Sequence, residues 1–193
     1  LFIFYVDHNL KTPDLSGLMI MIYFLSAIFA TPIWLFLSRK LAKNKLWCFS
    51  MVYASLIFST AFFLGNGDWF IFIIICILSG CALSADLAIP TSIQADLVEI
   101  ETLKTNKIQT GSFFAIWSIA TKGAVALSTG SALYFLSLSG FDANKEFNSN
   151  FSINFLLFMY AILPVILKSI AILLMWSFPL SREKYISMKE SLN

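Results

Sequence analysis

The feature that most constrains this chain is a series of long apolar stretches that carry no charge. No charged residue lies between Asp14 and Arg39, and none occurs from Leu46 to Gly67. A helix needs roughly 20 mainly apolar residues to cross the hydrocarbon core of a membrane. The chain is 59% hydrophobic and only 12% charged, which is about half the charged share of an ordinary soluble domain. The sequence therefore predicts a polytopic membrane protein, surrounded by lipid.

Helices are the secondary structure that these stretches favour. No regular alternation of apolar and polar residues is visible, and evenly apolar runs of this length indicate helices, so we predict an all-α bundle. Leu1 to Val6 is too short to span a membrane, and we interpret it as the end of a helix whose beginning lies outside the sequence. The predicted spans are 15–38, 46–64, 69–93, 111–138 and 152–179, followed by a tail over 180–193.

The basic residues predict the orientation of the spans, because they concentrate on the cytoplasmic side of membrane proteins. One set of loops, together with the tail, carries Arg39, Lys40, Lys43, Lys45, Lys104, Lys107, Arg182, Lys184 and Lys189. The loops on the opposite side carry only Lys11 and Lys145. We therefore predict that the first set and the C-terminus are cytoplasmic, in a plasma membrane of the bacterial inner type.

Three charged residues interrupt the apolar spans, namely Asp86, Lys122 and Lys168. A charge at the centre of a bilayer costs about 2.5–3.5 kcal/mol on insertion scales, so it persists where it has a partner or a water-filled path. The sequence has no nucleophile–base pair, metal-ligand spacing or phosphate-binding loop, and its only histidine, His8, is expected to be solvated in an outer loop. These charges favour a transporter over an enzyme.

Lys122 lies on a face of small residues in the fourth predicted span. Ser118, Ala126 and Gly130 share that face at four-residue spacing, and small residues let helices approach closely. Lys122 is about eleven residues, roughly 16 Å, from the cytoplasmic end of the span, which is far for a lysine to reach water. We predict that it faces the bundle interior and pairs with Asp86, which lies at a similar depth. Two interpretations of this predicted pair stay open, namely a structural ion pair and a charge pair in a solute pathway.

Two further residues are assigned to the same predicted pathway. Trp117 precedes Ser118 in the fourth span, and Lys168 lies about halfway along the last span. Lys168 has no nearby acid in the sequence, so three interpretations remain. It faces the pathway, pairs with a carboxylate outside this sequence, or donates to backbone carbonyls.

Acids and then lysines follow the third predicted span at its cytoplasmic edge. We predict a connecting loop over 97–110 that contains a short helical turn held by local ion pairs, each worth about 0–1 kcal/mol when exposed. The acids are also placed to engage the basic cluster Arg39–Lys45 and so to close the cytoplasmic side in one conformation. A solvated loop is the plain alternative. The predicted ion network comprises Asp96, Glu99, Glu101, Lys104, Arg39 and Lys40.

Several of these segments resemble the second half of the glycoside–pentoside–hexuronide:cation symporters, a family of the major facilitator superfamily. The segments that carry the resemblance are Gln94–Glu99 with Glu101 and Lys104, Gly111–Phe114, Thr121–Gly123, the basic turn Ser38–Lys45, and Pro164 with Lys168 and Phe178–Leu180. The block from Asp96 to Lys122 is the most specific part. On this resemblance the complete spans are helices eight to twelve, and Leu1 to Val6 closes helix seven.

The resemblance implies the C-terminal six-helix half of a secondary active transporter that works by alternating access. It implies symport of a sugar or glycoside with Na⁺ or H⁺, with Lys122 near the sugar and cation sites. No other cofactor and no nucleic acid is expected, and the partner is the N-terminal half of the same transporter. The alternatives are a carrier for another solute, such as a lysolipid, and a membrane assembly subunit that does not transport.

Overall fold

The described residues fold into helices without strands, as the sequence predicts. The computed structural model describes residues 1–105, 110–145 and 147–177. Its α-helices are α1 (Phe2–Phe4), α2 (Ser16–Lys40), α3 (Lys43–Ser59), α4 (Trp69–Thr105), α5 (Thr110–Leu138), α6 (Asn150–Leu157) and α7 (Leu163–Trp176). π-Helical turns follow α1 at Tyr5–Leu10 and α6 at Phe158–Ile162, and 3₁₀ turns lie at Pro13–Leu15 and Thr60–Phe63.

Four helical segments are long and apolar enough to cross a membrane, and each corresponds to one of the predicted spans. They are Pro13–Lys40, Lys43–Phe63, Trp69–Thr105 and Asn150–Trp176. Helix α5 is 29 residues long, but Lys122 and many Ser, Thr and Gly residues lower its hydropathy, and it is not among the four. A membrane span over 111–138 therefore stays a prediction.

Helix α4 continues well beyond its predicted end. The sequence predicts a loop over 97–110, whereas the structure extends the helix without interruption to Thr105. With 37 residues, α4 is about 55 Å long, which exceeds a hydrocarbon core of about 30 Å. Its last part lies at the end that carries the turn from Arg39 to Lys45, and Val98 and Ile100 are still buried there. We call this the basic end.

Packing in the described chain is organised around α4. Helix α2 packs along α4, and α3 packs against both α4 and α7. The side chain of Trp34 in α2 donates from Nε1 to the carbonyl oxygen of Cys81 at 2.8 Å. At the preceding residue of α4, Gly80 brings the two backbones together, since a Cβ there would collide with the carbonyl oxygen of Tyr23. This glycine therefore permits the close approach of α2 to α4.

We expect Gly80→Ala to lower the thermal stability of the purified protein, because the added methyl must push α2 away from α4. Overpacking of this kind typically costs about 1–3 kcal/mol. The matched control is Gly123→Ala in α5, where an added Cβ meets nothing within 4 Å. That change should be neutral or slightly stabilising, since alanine favours a helix. Equal melting temperatures for the two variants in a thermal unfolding assay would contradict this account of the α2–α4 contact.

Candidate functional site

Asp86 joins three helices through its two carboxylate oxygens. Asp86 itself lies on α4, where Oδ2 accepts a hydrogen bond from Lys168 Nζ of α7 at 2.7 Å. Oδ1 accepts a second hydrogen bond from Trp47 Nε1 of α3 at 3.0 Å. All three residues belong to segments that are long and apolar enough to cross a membrane. This charge-assisted arrangement compensates two charges that would otherwise be costly in lipid.

The structure corrects the predicted partner of Asp86, which is Lys168 rather than Lys122. Sequence spacing concealed this pair, because the two residues are 82 positions apart. Lys168 lies eight residues, roughly 12 Å, before the basic end of α7 at Trp176, so its depth also fits Asp86, but depth alone does not choose between Lys168 and Lys122. The interpretation that Lys168 pairs with a carboxylate outside this sequence is wrong in the described chain, because the acid is Asp86.

Lys122 is exposed in the described chain, so its predicted position inside the bundle is wrong there. Nearly all of α5 is exposed, and Leu136 is the residue of this helix that is buried. The helix contacts α4 chiefly near its start, where Gln94 Nε2 donates to the carbonyl oxygen of Phe113 at 2.9 Å. The small-residue face of α5 therefore has no helix packed against it among the described residues. Trp117 and Ser118, on the same helix, do not join Asp86 and Lys168.

A cavity of about 330 Å³ lies beside the Asp86–Lys168 pair. The two side chains line it and remain 28% and 32% exposed, respectively. Ser55 of α3 also lines it, and this residue is only 8% exposed. The remaining lining residues are largely apolar, and include Ala54, Phe58, Ala82, Leu83, Met159, Pro164 and Val165. Tyr23, Ser79 and Tyr160 line it as well, and so does Leu1, the first residue of the sequence.

Stacked aromatic rings fix one wall of the cavity. Tyr160, which lies in the π-helical turn before α7, stacks on Tyr5 with ring centroids 4.4 Å apart. Tyr5 in turn donates its hydroxyl to the carbonyl oxygen of Ala61 at 2.6 Å. Phe58 packs against Tyr160 at 5.1 Å between centroids. A π-helical turn often marks a functional position in a helix. The turn at Phe158–Ile162 was not predicted from the sequence.

A second ion pair lies at the basic end of the bundle. Lys43 Nζ is 2.6 and 2.8 Å from the two carboxylate oxygens of Asp96, and both side chains are about three-quarters buried. The ammonium also contacts the carbonyl oxygen of Ser92 at 3.4 Å. Asp96 therefore does engage the basic cluster Arg39–Lys45, through a lysine that the predicted network omitted. The contact ties the first turn of α3 to α4 near its C-terminal end.

The other members of the predicted network lie around this pair on the same end. Arg39, Glu99 and Lys104 are exposed, and Glu101 is half-buried. Lys40 lies over the ring of Phe36 at 4.3 Å from its centroid. Lys107 falls outside the described residues. The structure thus places a defined ion pair, Lys43–Asp96, among these residues, between α3 and α4.

His8, at the opposite end, is half-buried rather than solvated as predicted. Its Nδ1 lies 3.4 Å from Asn148 Nδ2, and its ring meets Phe141 edge-on at 4.9 Å between centroids. These contacts fasten the turn after α1 to the segment before α6. These contacts are typical of a residue that packs within the fold, and they do not indicate a catalytic or ligand-binding role for His8.

The comparison with protein families gives one result over almost the whole chain. The family model described as "MFS/sugar transport protein" matches residues 1–182. No curated protein matches the chain. The chain therefore belongs to the MFS/sugar transport protein family, and it is an integral membrane transporter chain of that kind.

Proposed function

We propose that the protein of which this chain forms part is a secondary active transporter that couples the movement of a sugar or glycoside to Na⁺ or H⁺. The observation that carries the proposal is the Asp86–Lys168 pair, which lines a cavity between helices able to span a membrane. Intramembrane charges beside a cavity are typical of solute and ion pathways. Membership of a sugar transport family supports a sugar as the solute.

Alternating access is the mechanism that fits this arrangement. Transporters of this architecture hold the solute near the midplane of the membrane and rock two helix bundles about it. In the proposal, this chain supplies one bundle, and the N-terminal half of the transporter supplies the other. The basic end and the C-terminus face the cytoplasm of a bacterial cell, and the Lys43–Asp96 pair helps to close that side. Coupling to a cation needs no other cofactor.

Uptake into proteoliposomes tests the proposal directly. The full-length protein is reconstituted, and accumulation of a radiolabelled uncharged glycoside is measured with an inward Na⁺ gradient, an inward H⁺ gradient, or neither. We expect one gradient to raise accumulation several-fold and an ionophore that dissipates that gradient to remove the increase. Liposomes without protein are the control.

Each other outcome selects a different function. If uptake does not respond to either gradient, the protein works by facilitated diffusion rather than by symport. Absence of sugar uptake together with transfer of a fluorescent lysolipid would make the protein a lipid carrier. Absence of both activities in protein that remains folded would favour a membrane assembly subunit.

A further inference from the structure

Trp47 is the third side chain in the contact around Asp86, and it was not predicted from the sequence. Its indole Nε1 donates to Asp86 Oδ1 at 3.0 Å, while Oδ2 of the same carboxylate accepts from Lys168 Nζ at 2.7 Å. Asp86 and Lys168 line the cavity described above, whereas Trp47 does not. The indole therefore supports the carboxylate without facing the cavity itself.

The two donors to Asp86 differ in how firmly they are held. Trp47 is half-buried, and its ring packs against a cluster of buried residues from α2, α3 and α4, namely Ala30, Trp34, Leu46, Ala85, Ile89 and Ile93. A tryptophan side chain is rigid, whereas a lysine carries its ammonium on a flexible four-carbon stem. Packing thus fixes the indole N–H in place, and the ammonium of Lys168 can follow the carboxylate.

The two hydrogen bonds together determine how the carboxylate is turned. The last torsion of an aspartate is broad, so a carboxylate with one flexible partner can rotate and offer that partner either oxygen. An indole N–H and an ammonium both donate and never accept, so each needs an oxygen of its own. Because Trp47 occupies Oδ1, Oδ2 is the oxygen that remains directed at Lys168.

We propose that Trp47 is a positioning residue of the transporter, whose indole N–H fixes the orientation of the Asp86 carboxylate toward Lys168. This inference rests on the proposed function, in which Asp86 and Lys168 belong to the solute pathway. Trp47 acts through Asp86 and does not contact the solute. Functional side chains work best when packing and hydrogen bonds behind them hold their geometry, and Trp47 supplies both.

The test compares Trp47→Gln with Trp47→Met in the reconstituted full-length protein. Both changes remove the ring, but the amide nitrogen of glutamine can donate and is separated from Cα by as many bonds as the indole nitrogen. Methionine has a similar length and no N–H. We expect Trp47→Gln to retain roughly five- to tenfold more glycoside uptake per folded protein than Trp47→Met, since it keeps a hydrogen bond to a charged group. Equal uptake would overturn the positioning role, because the loss of packing is common to both variants.

The matched control is the same pair of changes at Trp34. This residue belongs to the same buried cluster, but its Nε1 donates to the backbone carbonyl oxygen of Cys81 at 2.8 Å. Uptake per folded protein by Trp34→Gln and Trp34→Met should therefore agree within twofold. A difference as large as that at position 47 would be a general effect of a polar side chain in this cluster, and it would also overturn the proposal.

Melting temperatures test the contact with Asp86 without any measurement of transport. When Asp86→Ala is added, the amide of Trp47→Gln loses its acceptor, whereas Trp47→Met has no donor to lose. The added change should therefore lower the melting temperature of Trp47→Gln more than that of Trp47→Met. Equal decreases would show that residue 47 is not coupled to Asp86.

The failures of this inference and of the proposed function are distinguishable. If the unsubstituted protein takes up glycoside and the two variants at position 47 are equally active, the positioning role is refuted and transport stands. Absence of glycoside uptake by the unsubstituted protein would overturn the proposed function, and with it any role of Trp47 in uptake. The melting temperatures would still decide whether Trp47 and Asp86 are in contact.

Discussion

Asp86→Ala is expected to reduce solute uptake by the full-length protein to about 1% or less of its original rate. The change leaves the Lys168 ammonium without its carboxylate, which lies 2.7 Å away in the structure. An unpaired charge in the membrane costs about 2.5–3.5 kcal/mol, which corresponds to roughly a hundredfold or more in an equilibrium. Lys168→Ala should have a comparable effect, because it leaves the carboxylate of Asp86 without its ammonium partner. Initial uptake rates, normalised to protein in the membrane, measure both.

The double variant Asp86→Ala with Lys168→Ala separates a structural role from a direct one. It removes both charges, so no charge is stranded, and its stability should recover relative to either single variant. On the proposed function, uptake should nevertheless stay low, because both intramembrane charges assigned to the pathway are gone. Recovery of uptake together with stability would show that the pair only holds α4 and α7 together.

Uptake by the Lys122→Ala variant tests whether Lys122, as the sequence predicts, or Lys168, as the structure indicates, is the principal cation of the pathway. The sequence made Lys122 the partner of Asp86, whereas in the described chain Lys122 is exposed and makes no ion pair. The structure therefore predicts a smaller loss of uptake for Lys122→Ala than for Lys168→Ala. The reverse order would restore Lys122 as the principal cation of the pathway.

Much of the fold follows from sequence because hydrophobicity along a helix is a local property. The apolar runs that end at Arg39 and Gly67 could be recognised as helices without knowledge of tertiary contacts, and the corresponding helices are present. The end of α4 was missed because residues 97–105 carry the charges of Glu99, Glu101 and Lys104. Polarity removes a segment from the membrane but does not end its helix. No proline or glycine lies between Asp96 and Thr105 to stop it.

The candidate site was only partly predictable because it depends on which helices are neighbours. Asp86 and Lys168 were identified from the cost of burying a charge, which needs no structure. Their pairing depends on the packing of α3 between α4 and α7, and sequence spacing does not report it.

The second large effect is expected at the basic end, where Asp96→Asn should lower the maximal rate of uptake about tenfold while changing the KM less than twofold. Lys43 and Asp96 form two charge-assisted contacts of 2.6 and 2.8 Å. Hydrogen bonds to charged groups contribute about 1.5–3 kcal/mol, and solvent screening favours the lower end because both side chains are partly exposed. About 1.4 kcal/mol corresponds to a tenfold change in a conformational equilibrium.

The pair is expected to act on rate rather than affinity because of its position. Asp96 is ten residues, roughly 15 Å, beyond Asp86 along α4, and neither Asp96 nor Lys43 lines the cavity. Loss of the pair removes the ionic link between α4, near its C-terminal end, and the first turn of α3. That change alters the balance between conformations open and closed at this end, and it leaves the solute contacts in place.

Charge reversal provides the decisive control for this role. Lys43→Asp combined with Asp96→Lys re-forms an ion pair between the same two helices, so it should recover much of the rate that either single change removes. Lys45→Ala removes an exposed lysine from the same turn, and it should leave the rate within twofold. If the reversed pair stays as slow as the single variants while Lys45→Ala is normal, Asp96 itself would be required, and closure through a simple ion pair would be ruled out.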